Sequence, residues 1–368
     1  MAATKVLIFS NTLTGGGAER VASNLADGLA ELGYNVVLYC IKDGDMTYAP
    51  TSRVNLHFYT SFKPIKGLNI LRSVLNMRSI IKTHMPDIVI GIQSTNAFKA
   101  KMALLLSGQR IPIIYSEHNS LERPSCAPLS RMERFYKFFF SRFCNAYTVL
   151  TNSDKVYGES KGLKNIVVMP NPLQLKPVEI IPYKEKIVLA VGRLNVWHYK
   201  GFDILVRAWE LIAEKYPDWQ LQIAGVGSES EKNKILSFVK SESVKKKILF
   251  LGYSKDVIQY YKKSSIFVLS SRYEGFGLVL TEAMSQRCAC IATDYKGRQA
   301  DIITDGVNGF LCSPENIDDL AKKIELLIVD KDLRECIQRQ SLMSLDRFSP
   351  IVYAKRWDSL IKKLYDER

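Results

Sequence analysis

Two carboxylates, Glu274 and Glu282, bracket a glycine turn in the stretch R-Y-E-G-F-G-L-V-L-T-E-A from Arg272 to Ala283. The stretch follows a β-rich run, Ile266 to Leu269, and its second half carries Leu278, Val279, Leu280, Ala283 and Met284 as a helix would. Gly275 and Gly277 allow a sharp turn and leave amides uncovered at the helix start, where an anion is favoured. Strand, glycine loop and helix mouth form the kind of crevice in which open α/β sheets bind ligands. The Glu-x7-Glu spacing alone does not say which ligand.

Other groups with chemical potential punctuate the chain. Gly15, Gly16 and Gly17 stand just before a helical pattern of Val21, Leu25, Leu29 and Leu32. They suit either a phosphate lying against bare amides or a plain tight turn, and they match neither the Walker nor the dinucleotide pattern. Gly192-Arg193-Leu194 ends another strand and is followed by Lys200-Gly201. Ser116-Glu117-His118-Asn119 ends the strand from Ile113; a lone histidine is more often structural than catalytic. Asp43-Gly44-Asp45 reads as an acidic turn, because no further carboxylates converge to hold Mg2+. Seven cysteines without a Cys-x-x-Cys spacing, and four scattered histidines, give neither a zinc site nor a disulfide framework.

The elements that must position these groups fall into two α/β sets. In the first, strands are expected at Lys5–Ser10, Val36–Tyr39, Ile88–Ile92, Ile113–Ser116 and Tyr147–Leu150. Most are separated by helix-length segments, as a parallel sheet requires. A linker with four prolines in thirteen residues begins at Pro170. The second set has strands at Ile187–Val191, Gln220–Ala224, Ile248–Leu251, Ile266–Leu269, Ala289–Thr293 and Gly309–Cys312. One helix runs from about Phe202 with Leu205, Ala208 and Leu211 inward, and a final helix presents Trp357, Leu360, Ile361 and Leu364. The expected domains are residues 1–173, residues 174–350, and a closing helix, 351–368, packing back towards the first.

With 47% hydrophobic and 24% charged residues the chain is globular, not disordered. No apolar run has the length of a signal peptide or a membrane span, so the expectation is a cytoplasmic protein. The net charge of +14 is concentrated in the first half: residues 1–173 hold 20 Lys/Arg against 11 Asp/Glu. Bases alternate with apolar and aromatic residues in 68–82 and in 131–143, R-M-E-R-F-Y-K-F-F-F-S-R-F. Such segments suit peripheral contact with an anionic membrane; equally, the aromatics would face the core and the bases water. No helix-turn-helix, RNP or zinc-finger pattern accompanies the charge, so nucleic acid is not expected.

In order and spacing, G-G-G-A-E-R, S-E-H-N, N-P at the linker, G-R-L before K-G-F, A-G-V-G, F-L-G-Y, E-G-F-G-L-V-L-T-E-A-M and D-G-V-N-G-F-L-C-S-P-E span nearly the whole chain. Together they resemble the retaining nucleotide-sugar glycosyltransferases of the GT-B fold, in the large Glu-x7-Glu family (family 4-like, group 1). The resemblance implies two Rossmann-like domains facing across a cleft, the first binding acceptor and the second the nucleotide-sugar donor, with a UDP-sugar favoured. It implies Gly16 and Gly17 against the donor diphosphate and Arg193 and Lys200 holding it. It places Glu274 on the transferred sugar with the amides of Phe276, Gly277 and Leu278, Glu282 on the ribose, Tyr253 near the nucleobase, and His118 beside the sugar and the acceptor hydroxyl. It implies front-face transfer with no metal or other cofactor, onto a glycan or lipid-linked acceptor in cell-surface polysaccharide or glycoconjugate synthesis.

Three departures bear on the sugar pocket. The loop from Arg193 to Lys200 is longer than usual, Gln286-Arg287-Cys288 replaces a Gly-x-Pro turn, and Asp301 stands where glutamate is common. Two other functions compete: a sugar-nucleotide epimerase of the same fold, and a non-catalytic nucleotide-sugar-binding scaffold at the membrane.

Overall fold

The uninterrupted apolar run Lys5–Phe9 forms a strand with Val6 to Phe9 fully buried, as the interior of a parallel sheet covered by helices on both faces demands. The same reasoning applies to each central strand of the computed structural model, which describes residues 3–14, 17–41, 47–59, 69–180, 182–254 and 256–367. The chain divides into two compact units, Met1–Pro172 with Phe348–Arg368, and Leu173–Arg347.

The first unit begins β1 (Lys5–Phe9), α1 (Gly17–Glu31), β2 (Asn35–Ile41), β3 (Asn55–Tyr59), α2 (Asn69–His84), β4 (Ile88–Ile92) and α3 (Ser94–Ser107). It continues with β5 (Ile113–Ser116), α4 (Arg131–Arg134), β6 (Ala146–Val149), α5 (Asn152–Ser160) and β7 (Ile166–Val168). The sheet is parallel throughout, in the order β3-β2-β1-β4-β5-β6-β7. Its order reverses between β1 and β4, the kind of point at which doubly wound sheets bind ligands. The edge strands β3 and β7 were not among those expected. β3 is only partly buried and carries polar residues, and β7 is three residues long, so neither shows an apolar run.

In helix α2, Val74, Met77, Ile80 and Ile81 are buried, whereas Leu71 and Leu75 face outward with Ile70.

The second unit holds β8 (Glu185–Val191), α6 (Trp197–Lys200), α7 (Phe202–Glu210), β9 (Gln220–Ala224), α8 (Glu229–Leu236), α9 (Glu242–Lys245) and β10 (Ile248–Gly252). Then come α10 (Ile258–Lys263), β11 (Ser264–Leu269), α11 (Leu278–Ser285), β12 (Ala289–Thr293), β13 (Phe310–Cys312), α12 (Ile317–Val329) and α13 (Lys331–Met343). Its parallel sheet runs β10-β9-β8-β11-β12-β13 and reverses between β8 and β11. Leu205 and Ala208 of α7 are buried as expected, but Leu211 lies just past the helix end and is exposed.

The last helix, α14 (Pro350–Asp366), belongs to the first unit. It buries Trp357, Leu360, Ile361 and Leu364. Tyr34, just beyond α1, donates its hydroxyl to Asp358 Oδ1 at 2.7 Å, which fixes α14 against the first unit.

Candidate functional site

In the second unit, the loops after β8 and β11 are joined along their length, and the groups with chemistry sit where they join. Gly201 adopts φ 64°, and a Cβ there would lie 1.9 Å from the carbonyl oxygen of Ser270, so only glycine permits the approach. Ser270 Oγ donates to the Lys200 carbonyl at 2.9 Å, and the Arg272 amide donates to the Tyr199 carbonyl at 2.9 Å. The Arg272 side chain completes the junction. It is 9% exposed, donates to both carboxylate oxygens of Asp203 at 2.7 Å, and its Nε lies 2.6 Å from Glu315 Oε1. These carboxylates outweigh the burial that would otherwise lower the guanidinium's pKa.

That junction sets Lys200 against Glu274. Lys200 Nζ lies 2.6 Å from Glu274 Oε1, and Ser271 Oγ donates to the same oxygen at 2.7 Å. The Lys200 stem runs so close to Gly192 that a Cβ there would stand 3.2 Å from its Cγ and Cδ. The ammonium therefore spends one of three donors on Glu274. Glu274 Oε2 makes no hydrogen bond among the described residues. The longer loop does not displace Lys200: its extra length folds as a 3-10 turn, Leu194–Val196, and the single turn α6. Arg193 starts this loop, exposed, with no hydrogen bond or ion pair from its side chain among the described residues.

Gly277, at φ 94°, caps the N-terminus of α11, where the first amides of a helix have no intrahelical partner. Phe276 is buried, and Leu278 begins the helix. Glu282, one turn further, is buried and accepts from Tyr261 Oη at 3.1 Å. Burial first, and then the Glu282 carboxylate, push the Tyr261 phenol up, so it remains a donor. Tyr253 follows β10 and is exposed.

Gly17 and His118 belong to the first unit. Gly17 begins α1, as a glycine at a helix mouth should; Gly16 and the Asp43-Gly44-Asp45 turn lie outside the described residues. His118 follows β5, in a loop built on the buried Glu117. Glu117 Oε1 accepts from the amides of His118 at 3.0 Å and Asn119 at 2.9 Å. Its Oε2 takes the Tyr115 hydroxyl and the Lys137 ammonium, each at 2.8 Å. Burial pushes the Glu117 carboxyl up, but Lys137 and these hydrogen bonds hold it below the usual range. Leu121, further along the loop, donates its amide to Asp154 Oδ1 of α5 at 2.8 Å.

Part of His118 reaches the surface, yet enough protein surrounds the ring that burial lowers its pKa to about 4 against the opposing pull of Glu117. Nε2 is 3.1 Å from Ser116 Oγ, and Nδ1 is buried without a hydrogen-bond partner among the described residues. The ring is thus neutral near pH 7, able to accept or donate a hydrogen bond.

Sequence reasoning missed Asp203, Ser271, Arg272, Tyr261 and Lys137 as supports of the site. Asp203 directly follows the quoted K-G-F and Arg272 opens the quoted R-Y-E-G-F-G, and an arginine followed by a glycine loop was the available signal. Tyr261 and Lys137 carried none.

Comparison with known proteins gives the chain its family. Residues 174–341 match the model of glycosyl transferases group 1, and residues 15–176 match that of glycosyltransferase family 4. A Haemophilus influenzae protein described as an uncharacterized glycosyltransferase is 30% identical over 91% of this chain and 94% of its own. The chain belongs to this family of GT-B glycosyltransferases. The N-acetylgalactosamine-N,N'-diacetylbacillosaminyl-diphospho-undecaprenol 4-alpha-N-acetylgalactosaminyltransferase of Campylobacter jejuni is 25% identical over 95% of this chain and 97% of its own. The solved Anabaena Alr3699/HepE, in complex with UDP and glucose, shares the fold with a TM-score of 0.80 at 19% identity, covering 98% of this chain and all of that one.

Two predictions follow from the supports. Arg272→Ala leaves Asp203 buried beside an empty space and should cost about 3–5 kcal/mol, read as a lower urea midpoint; an unchanged midpoint would remove the junction from the account. For His118, the unfolded ring protonates near 6.5 and the folded ring near 4. Its contribution to stability is therefore present above pH 6.5 and lost as pH falls from 6.5 towards 4. Nitrogen-15 NMR at pH 5.5 should show a neutral ring, and a protonated one would contradict the burial argument.

Proposed function

We propose that this glycosyltransferase is a retaining, metal-independent enzyme that moves a hexose or N-acetylhexosamine from a UDP-sugar to a lipid-linked saccharide in cell-surface polysaccharide synthesis. The observation that carries the reading is the Lys200–Glu274 pair beside the N-terminus of α11, with Arg193 starting the same loop. A leaving nucleoside diphosphate gains negative charge as its bond to the sugar breaks. The remaining donors of Lys200, the Arg193 fork and the helix amides are already charged or oriented for it. That cationic supply is the reason for proposing that no divalent metal is needed.

Glu274 has its roles divided by its hydrogen bonds. Oε1 is held by Ser271 and Lys200, which leaves Oε2 for a sugar hydroxyl. The carboxylate then orients the sugar, and the donor phosphate receives the acceptor's proton in front-face attack. Glu282, oriented by Tyr261, accepts from the ribose, and neutral His118 binds a hydroxyl of the sugar or acceptor. The relative that acts on a diphospho-undecaprenol saccharide, and the structural neighbour holding UDP, support the choice of acceptor and donor.

The segment 131–143 supports placing the acceptor at a membrane, though only by its outer face. Tyr136, Lys137 and Phe140 are buried, and Lys137 serves Glu117 instead of a lipid surface. Met132, Phe135, Phe139 and Phe143 are exposed, with Arg131, Arg134 and Arg142 exposed among them. Phe135, Phe139 and Phe143 follow one another with ring centroids 5.4 Å apart. An apolar ridge set in bases fits the interface of an anionic bilayer. Among the described residues no helix is long and apolar enough to cross a membrane.

Transfer should first be sought with a panel of UDP-, GDP- and ADP-sugars in the presence of EDTA. Glu274→Gln and Arg193→Ala should each lower it by about 10²–10³-fold with the fold intact. Near-normal transfer by either variant would sink the site, and release of an altered sugar nucleotide without acceptor would favour an epimerase. In sedimentation with phosphatidylglycerol vesicles the wild type should bind, more weakly as salt rises, and Phe139→Ala/Phe143→Ala should bind less. Absence of binding at low salt would remove the membrane from the proposal.

A further inference from the structure

The first unit contains a cavity of about 510 Å3 that none of the roles above uses. Its wall begins at Leu121, where the loop carrying His118 is tied to α5, and α5 supplies Tyr157. Its volume is in the range of small-ligand pockets, about 300–1,000 Å3. Among the described residues Arg123, Arg134 and Lys161 line it, and no carboxylate does.

The charges are unequally balanced. Arg123 Nη2 is paired with Glu133 at 2.9 Å. Arg134 and Lys161 have no carboxylate partner among the described residues. The Lys161 ammonium lies over the Tyr157 ring, 5.1 Å from its centroid, and the Lys161 carbonyl is held by Arg142 Nη2 at 2.6 Å. Two cations are thus left uncompensated beside aromatic and apolar walls, Tyr157, Phe138 and Leu121. A diphosphate diester carries one negative charge on each phosphate, which those two cations match. Arg134 and Phe138 also belong to the segment whose other side chains form the exposed aromatic ridge.

We propose that this pocket binds the diphosphate headgroup of a lipid-linked acceptor, close along the chain to His118. The assignment rests on the reading of the protein as a transferase acting on such an acceptor, and it goes beyond it by giving the headgroup its own site, apart from the donor diphosphate at Arg193 and Lys200. An anionic lipid headgroup and a free diphosphate share this chemistry; the aromatic and apolar walls favour the lipid.

Geranyl diphosphate is a soluble probe that carries a diphosphate and a prenyl chain, with one more ionisable oxygen than the diester, and its binding to the full chain can be followed by calorimetry. The wild type should bind it at least about tenfold more tightly than inorganic pyrophosphate. Arg134→Ala/Lys161→Ala should weaken that binding by about tenfold or more, and Arg134→Lys/Lys161→Arg should restore most of it. Both positions are exposed, so circular dichroism should show the double variant folded. Saturating UDP should leave geranyl diphosphate bound. Unchanged affinity in the alanine variant, full displacement by UDP, or equal affinity for pyrophosphate would each overturn the assignment. UDP titrated into wild type and variant reads the donor site separately. Failure of the wild type to bind UDP would count against the proposed function, while loss of geranyl diphosphate binding in the variant would still locate the pocket.

Discussion

The ion pair between Arg272 and Asp203 holds the second unit's chemistry in place. Arg272 lies in the loop after β11, and Asp203 sits in the first turn of α7, so their bidentate contact closes one loop onto the other. Neither residue touches the Lys200–Glu274 pair, yet both members of that pair hang from the backbone the contact fixes. A buried pair of this kind is weak evidence for stability, since the desolvation it requires offsets much of the attraction. Its value here is geometric. The planar guanidinium fixes direction as well as distance, and Gly201 lets the backbones meet without an intervening Cβ.

The first unit repeats the device with different residues. Glu117 is buried with Lys137, and its second oxygen gathers the amides of the loop that carries His118. Lys137 comes from a π-helical turn, Phe135–Phe139, whose irregular winding separates the side chains it turns inward from those it leaves outside. The same few residues therefore brace His118 from within and form the aromatic ridge without. A charge change at Lys137 would be felt at His118 before it was felt at any membrane.

Much of this was legible in the sequence because parallel strands are buried on both faces and read as apolar runs. β1, β4, β5, β8, β11 and β12 were found that way, and Gly277 was marked as a turn by its place between strand and helix. What failed to show was of two kinds. β3 and β7 lie at a sheet edge, where partial exposure or brevity leaves no apolar run to find. The rest are pairings across long separations: Arg272 with Asp203, Lys137 with Glu117, Tyr261 with Glu282. Spacing cannot report these, because the fold brings the partners together and no local period relates them. Composition likewise misassigned Lys137, which looked like one more surface base and is buried.

The replacement of a Gly-x-Pro turn by Gln286-Arg287-Cys288 shows how such a departure is absorbed. Arg287 takes φ 58°, a conformation that costs a residue with a side chain about 1–3 kcal/mol. The surrounding hydrogen bonds offset this strain. The buried Gln286 side chain donates to the Lys176 carbonyl at 3.0 Å, and the Val178 amide donates to the Ser285 carbonyl at 3.0 Å. Lys184 Nζ donates to the carbonyls of Gln286 at 2.7 Å and Tyr261 at 2.9 Å. The proline-rich linker and the residues just after it are thus fastened to the end of α11, the helix that carries Glu282. Lys184 also fixes the backbone of Tyr261, whose hydroxyl orients that carboxylate. The unusual turn therefore leaves Glu282 in place and ties the beginning of the second unit to the helix that bears it.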